Sequence, residues 1–371
     1  MLSCEDKKSS SNEITTPWGD TLDTSGNLTG DTSNTFSVSD LIRNGEIIML
    51  TESGPKIYYE YRGCSLGTQY LLIENLAQKL GVRVRVEVCK DSVDIVKRLN
   101  NNEGDIAAFR TVGSFKATNP DLQKILKKHV TLTLINNMLK KESRIVSSGG
   151  VRRKVYDMFR DPVNGVISDY DGYFKRYVKQ TDWDWRLLAA QCYQESCFDP
   201  KAESFAGAKG LMQIMPKTAE HLGLPAADIF NPEKSIAASC KYIVELTNDF
   251  SDVPDGYERQ NFVLAAYNGG VGHLRDAMAM AKADGKNQYF WDEVKPYVLK
   301  LATPEAYRNP IVKHGYMRGS ETVGYVDNIR RRYATYGGIN KISGRSYEPV
   351  SNPPTSINEY APTATPQRAK K

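Results

Sequence analysis

One carboxylate, Glu195, stands beside Ser196 at the end of a segment with an apolar face, just ahead of a loop containing Gly207 and Gly210. Leu211, Met212 and Gln213 follow, placing a single polar side chain in an apolar run. Apolar neighbours disfavour the ionised form of a carboxylic acid, raising its pKa toward the range where it can give and take a proton near neutrality. The glycines let backbone approach a ligand closely. Such a setting suits general acid/base work. Ser196 has no His-Asp pair to activate it and reads as support for the fold.

Other chemistries are poorly served. The six cysteines (4, 64, 89, 192, 197 and 240) form no C-x-x-C pair and the four histidines are scattered, so neither a zinc site nor any other metal or cofactor is expected. Cysteine pairing is left open, with Cys192 and Cys240 equally readable as small core residues. Residues 269–272 look like a fragment of a phosphate loop, yet they follow a helix and lack the Gly-Lys-Ser/Thr ending. A net charge of +5 over 371 residues could favour an anionic polymer such as a cell wall and is too diffuse for nucleic acid. No apolar run reaches the length of a membrane span.

The elements that position Glu195 are helical. Asp182 or Asp184 caps a helix over 185–195, with Trp185, Leu188 and Cys192 on one face, and Asp199-Pro200 ends it. A leading helix over 167–178 precedes it, and a short helix over 217–222 follows and stops at Gly223. Asn231-Pro232-Glu233 opens a long helix whose Ile236, Cys240, Ile243, Val244 and Leu246 form a buried stripe. Residues 261–267 are apolar nearly all round and read as a central helix ended by Asn268-Gly269-Gly270. Upstream, strands over 46–51, 82–88 and 104–109 alternate with helices over 71–80 and 91–99, implying a small parallel sheet with right-handed crossovers. The lysine-rich stretch 120–145, with an alternating segment at 130–134, is expected to close that sheet, and residues 147–150 read as a hinge.

The fold class expected is therefore α+β and multidomain. Residues 1–38 form a lipidated N-terminus and disordered linker, 39–150 a small α/β unit, 151–180 a connecting helix, 181–342 an all-α domain and 343–371 a disordered tail. Leu2-Ser3-Cys4 resembles the end of a bacterial lipoprotein signal, in which Cys4 would be acylated; the apolar core of such a signal does not precede it, which reads as a trimmed or misassigned start.

Four motifs occur in order: Trp185 through Glu195-Ser196, Ser204 through Gly210-Leu211-Met212-Gln213, Ala266-Tyr267-Asn268, and Glu321-Thr322 with Tyr325-Val326. Together they resemble the "ES", "GLMQ", "AYN" and "ETxxYV" motifs of the soluble-lytic-transglycosylase (SLT) family. Residues 39–150 resemble part of a periplasmic solute-binding domain, and the combination is similar to the membrane-bound lytic transglycosylase F group. Too little chain precedes residue 150 for the second lobe of such a domain. A second departure is Ser235, where the family has Asn after the Pro-Glu, expected to alter a helix cap.

The resemblance implies a lysozyme-like fold and cleavage of peptidoglycan between N-acetylmuramic acid and N-acetylglucosamine, ending in a 1,6-anhydro ring. It implies Glu195 as the single acid/base and Tyr267 as the tyrosine that hydrogen-bonds and positions it. Gln213 and Asn268 would bond the sugar, Ser204 would meet the muramyl side, Met212 would line the site, and Glu321 and Tyr325 would contact the glycan. Asp199 and Glu203 lie near in sequence, but the resemblance gives neither a role. The implied partners are glycan strands, a muropeptide or small ligand at the N-terminal lobe, and a membrane through a lipid anchor only. Arg110 lies where such a lobe would hold a ligand carboxylate, although a surface arginine at a strand end is commoner. The implied location is the periplasmic face of the outer membrane, or alternatively the soluble periplasm. The competing readings are a lysozyme-type hydrolase and a non-catalytic wall-binding or sensing lipoprotein.

Overall fold

A computed structural model describes residues 14–15, 21–22, 37–147, 150–337, 341–342 and 345–346. Ile14–Thr15 (β1) and Thr21–Leu22 (β2) pair antiparallel within the stretch expected as linker, and Lys341–Ile342 pairs with Arg345–Ser346 near the expected tail. Cys4, and most of both terminal stretches, lie outside the described residues.

Val38–Asn44 (α1) starts on a capping box, with Ser37 and Asp40 satisfying each other's backbone donors. Glu46–Thr51 (β3) then forms the middle of a four-stranded sheet. Arg83–Val88 (β6) and Ile106–Ala108 (β7) flank it in parallel, and Phe115–Ala117 (β8) adds antiparallel to β7. Position explains sequence: the central β3 carries the buried Ile47, Met49 and Leu50, while the edge strand β6 alternates charged and apolar residues. Thr68–Leu80 (α2) and Ser92–Asn100 (α3) make the crossovers. Between β3 and α2, Tyr59–Tyr61 (β4) and Cys64–Leu66 (β5) form a hairpin turned by Arg62 and Gly63. Both turn residues are left-handed, with φ of 50° and 73°, as a two-residue hairpin loop requires.

The stretch 120–145 corrects an expectation. It forms two helices, Pro120–His129 (α4) and Leu132–Ile145 (α5), and β8 closes the sheet instead. The alternation at 130–134 spans the junction, where the Thr131 hydroxyl accepts from Leu134 N at 3.2 Å and caps α5. A five-residue alternation does not distinguish a strand from a helix junction. The hinge expected at 147–150 falls partly outside the described residues; Val151–Arg152 (β9) follows it.

The second unit is helical: Asp171–Tyr177 (α6), Trp185–Ser196 (α7), Pro216–His221 (α8), Pro232–Asp249 (α9), Gly256–Gly269 (α10), Val271–Ala283 (α11), Trp291–Lys300 (α12), Pro304–Tyr307 (α13) and Gly319–Thr335 (α14). An α/β lobe followed by an all-α domain is the fold class expected. α10 is the central element; Phe262, Val263, Leu264 and Ala265 are fully buried, and it packs on α9, α11 and α14. Asp184 caps α7 by accepting from Arg186 N, as expected, but the helix ends at Ser196, four residues before Pro200. Cys197 takes a left-handed conformation (φ 51°) and its N–H bonds Tyr193 O, closing α7 immediately after Ser196.

Lobe and helical domain touch directly. Ser53 Oγ accepts from Tyr316 N at 2.8 Å, and a Cβ placed on Gly315 would lie 2.2 Å from that oxygen. Arg110 is turned onto the buried Glu52, with Nη2 to Oε2 at 2.7 Å, and Arg308 of the helical domain lies 3.7 Å from the same carboxylate.

Candidate active site

The left-handed stop after Ser196 leaves Glu195 on the last turn of α7 and inside the domain, only 5 % exposed. Tyr325, from the first half of α14, donates to Glu195 Oε1 at 2.6 Å and accepts from Gln191 Nε2 at 3.2 Å. Burial pushes the Glu195 pKa up, while the Arg62 guanidinium and the Tyr325 hydroxyl pull against that shift. The hydrogen bond expected of Tyr267 is thus made by Tyr325. Tyr267 OH instead donates to Met212 O at 3.0 Å and lies 3.2 Å from Ser239 Oγ. Burial raises its pKa well above the ordinary value, and the charge of Glu195 adds to this.

The glycine loop wraps this acid from below. Glu203–Ser204 (β10) pairs with β9, and Ser204 Oγ accepts from Ala208 N at 2.8 Å, so its hydroxyl shapes the loop. Gly210 is left-handed, and a Cβ there would fall 2.2 Å from Ile229 O; no other residue fits. Met212 is fully buried and its N–H donates to Ser235 Oγ at 3.3 Å. Ser235 therefore ties α9 to this loop. Asn231 caps α9, correcting the expectation that Ser235 alters a cap. Gln213, itself left-handed at φ 48°, donates from Nε2 to Ala202 O and Gly210 O, while its Oε1 is buried without a partner. Asn268 Oδ1 accepts from Thr322 Oγ1 at 2.7 Å, and its Nδ2 is buried and unpartnered. One bare acceptor and one bare donor thus flank a cavity of about 350 Å³ lined by Glu195, Gln213, Tyr267 and Asn268. Unmade hydrogen bonds of this kind are costly and are recovered when a polar ligand supplies the partner.

The sequence reading missed Arg62. The β4–β5 hairpin carries it to the cavity, where Nη1 lies 4.0 Å from Glu195 Oε2 and Nη2 donates to Glu321 Oε1 at 3.0 Å. Tyr61 OH donates to the same Glu321 oxygen at 2.8 Å. Glu321 is therefore bound to the lobe. A tight-turn signal was present, since Arg62-Gly63 sits between aromatic-rich strands, but nothing local connects that turn to residues some 130 and 259 positions away. The other nearby acids are committed: Asp199 accepts from Lys154 N and Lys201 N, and Glu203 pairs with Arg152. Among the described residues no cluster of three metal-binding side chains occurs, the five cysteines are unbridged, and no helix is long and apolar enough to cross a membrane.

Residues 172–290, which carry the acid, the glycine loop and the buried end of α10, match the family model described as Transglycosylase SLT domain. The resemblance read from the motifs thus holds over the segment that carries Glu195. Curated relatives include the membrane-bound lytic murein transglycosylase F of Pseudomonas putida strain F1, 41 % identical over 167 residues, which are 45 % of this chain and 34 % of the relative. That of Photobacterium profundum is 33 % identical over 190 residues, covering 51 % and 36 %. The matched region spans about a third of those relatives' length. Among solved structures, the 70 kDa soluble lytic transglycosylase of Escherichia coli aligns with 72 % of this chain and 33 % of its own, at 20 % identity and a TM-score of 0.33, too loose a likeness to bear on the site.

Proposed function

We propose that this chain is a peptidoglycan lytic transglycosylase that uses Glu195 as its only acid/base. The observation that carries the reading is a carboxyl group buried on α7, hydrogen-bonded by Tyr325, facing a cavity with unpartnered amide atoms on both flanks. Glu195 gives its proton to the glycosidic oxygen as that bond breaks. The 2-acetamido carbonyl of the muramic sugar stabilises the cationic centre at C1. The Glu195 carboxylate then takes the proton of the sugar's own 6-hydroxyl, whose oxygen bonds to C1 and closes the 1,6-anhydro ring. Two-carboxylate schemes require a second acid held for water or for attack, whereas Asp199, Glu203 and Glu321 are each held by other groups. Gln213 and Asn268 offer their bare amide atoms to the sugar or its acetamido group. Met212, expected to line the site, is instead fully buried behind the cavity lining, where Tyr267 holds its carbonyl; Ser204 shapes the muramyl side, and Tyr325 positions the acid. In this reading residues 181–342 form the catalytic domain and 39–150 a lobe attached to it. An outer-membrane lipoprotein anchored through Cys4 is the matching location.

Digestion of purified sacculi followed by mass spectrometry of the products tests the reaction. Muropeptides lacking one water relative to hydrolysis products are expected. Fully hydrated reducing ends would replace this reading with the lysozyme-type hydrolase.

A further inference from the structure

To cut within a glycan strand, a cleft must let the polymer run past its acid in both directions. Here the β4–β5 hairpin crosses the cleft from wall to wall. On one wall, Cys64 Sγ lies 3.6 Å from Ala206 O in the glycine loop. On the other, Tyr61 OH and Arg62 Nη2 donate to Glu321, on the first turn of α14, at 2.8 and 3.0 Å. Between these ties Arg62 comes within 4.0 Å of Glu195. The hairpin therefore shuts the cleft beside the acid, on one side of it.

From the other side the acid is open to a ligand. With the hairpin in place, Glu195 still lines the cavity with Gln213, Tyr267 and Asn268, and Arg62 and Gly63 form an end wall. The volume, about 350 Å³, lies near the low end of the roughly 300–1,000 Å³ of pockets that enclose small molecules. Such a space suits the last units of a strand better than its middle.

The hairpin is a fixed wall and not a cover free to swing, because its base is built into the joint between lobe and helical domain. Tyr59, on β4, is buried and packs edge-on against Tyr316 with ring centroids 5.1 Å apart. Gly54 lies so near Tyr307 that a Cβ there would be 3.3 Å from its hydroxyl. A swing would strip the aromatic contact and part Arg62 from both of its carboxylate partners.

We infer that this hairpin restricts the enzyme to strand ends. A terminal disaccharide unit enters the cavity with its free end against Arg62, and the rest of the strand leaves away from the hairpin. Tyr61, Arg62 and Cys64 are then specificity-determining residues. The inference rests on the transglycosylase reading and adds which bonds of the strand the site can reach.

The test is a time course of the full chain on long, uncross-linked glycan strands that keep their peptides, with products separated by length and weighed by mass spectrometry. Disaccharide units are expected as the soluble product from the first time point, while the parent strands shorten gradually. Early oligomers of mixed length would overturn the inference. A second arm uses the double variant Tyr61→Ala, Arg62→Gly, which removes both ties to Glu321 and leaves Tyr59 packed. Its products should shift toward longer oligomers. A folded variant with the parent's length profile would overturn the hairpin as the cause. So would a variant that cuts where the parent makes no product, since the hairpin would then be an obstruction. The unsubstituted chain decides the matter even where the variant fails to fold. Length and end chemistry are read from the same products, so the two readings fail separately. Hydrated disaccharides would sink the reaction and leave the end wall standing; anhydro-ended oligomers of mixed length would do the reverse.

Discussion

At the scale of residues, the tuning of Glu195 is a contest between burial, which raises its pKa, and Arg62 and Tyr325, which lower it. On the proposed reading, Glu195→Gln should reduce turnover at least about 10²- to 10⁴-fold while glycan binding survives; near-normal turnover would show that another group is the acid. Arg62→Ala removes a cation 4.0 Å from the carboxylate. The Glu195 pKa should then rise, so the protonated acid persists to higher pH and the alkaline limb of the kcat profile shifts upward. A downward shift would contradict the assignment. His273 carries a separate pH effect. Its folded pKa, about 4, lies below the ordinary 6.5, so neutral His273 favours the folded state above pH 6.5. That contribution is lost as pH falls through 4, by about 3 kcal/mol in full. Urea unfolding of His273→Asn should therefore show a flatter decline between pH 6.5 and 4 than the parent.

At the scale of elements, the loop under the acid depends on backbone that only glycine allows. Gly210→Ala combines a left-handed φ with a Cβ 2.2 Å from Ile229 O, and should cost about 1–3 kcal/mol. The thermal midpoint should fall by several degrees, with activity lost further because Gln213 follows three residues on. Most of the fold was legible at this scale. Strand and helix periods located β3, β6, α2, α3, α7 and α9, and unbroken apolar runs located β7 and α10, because each packs against the core of its own unit. What escaped had two sources. Residues 120–145 carry two local helix starts, Asn119-Pro120 and Thr131, whose side chains cap α4 and α5, and the short alternation at 130–134 hid the second. The stop of α7 at Cys197, a non-glycine residue with positive φ, carries no local signal. Of the site, Glu195, Gln213, Tyr267, Asn268 and Tyr325 were found through their motifs and meet around one centre. Which tyrosine bonds the acid depends on how α14 crosses α7, and spacing along the chain does not encode that.

At the scale of the whole molecule, the candidate site belongs to two folded units. The helical domain supplies the acid, and the lobe supplies the cation that faces it. The joint has little tolerance: Ser53 and Tyr316 share a hydrogen bond at a point where Gly315 cannot accept a methyl group. Gly315→Val should separate the units locally and shift the pH profile in the same direction as Arg62→Ala, a correspondence that steady-state kinetics on both variants would check.

The hairpin bearing Arg62 also has a consequence for the order of events in folding. Its bond to Glu321 joins residues 259 apart, so the loop that must close is nearly as long as the described chain, and closing it is an entropic cost met only after each unit has its own core. Helical signal should recover first on dilution from denaturant, and the native alkaline limb of the pH profile last. Between the two, a freshly folded chain would pass through a period with its acid in place and its counter-charge still absent.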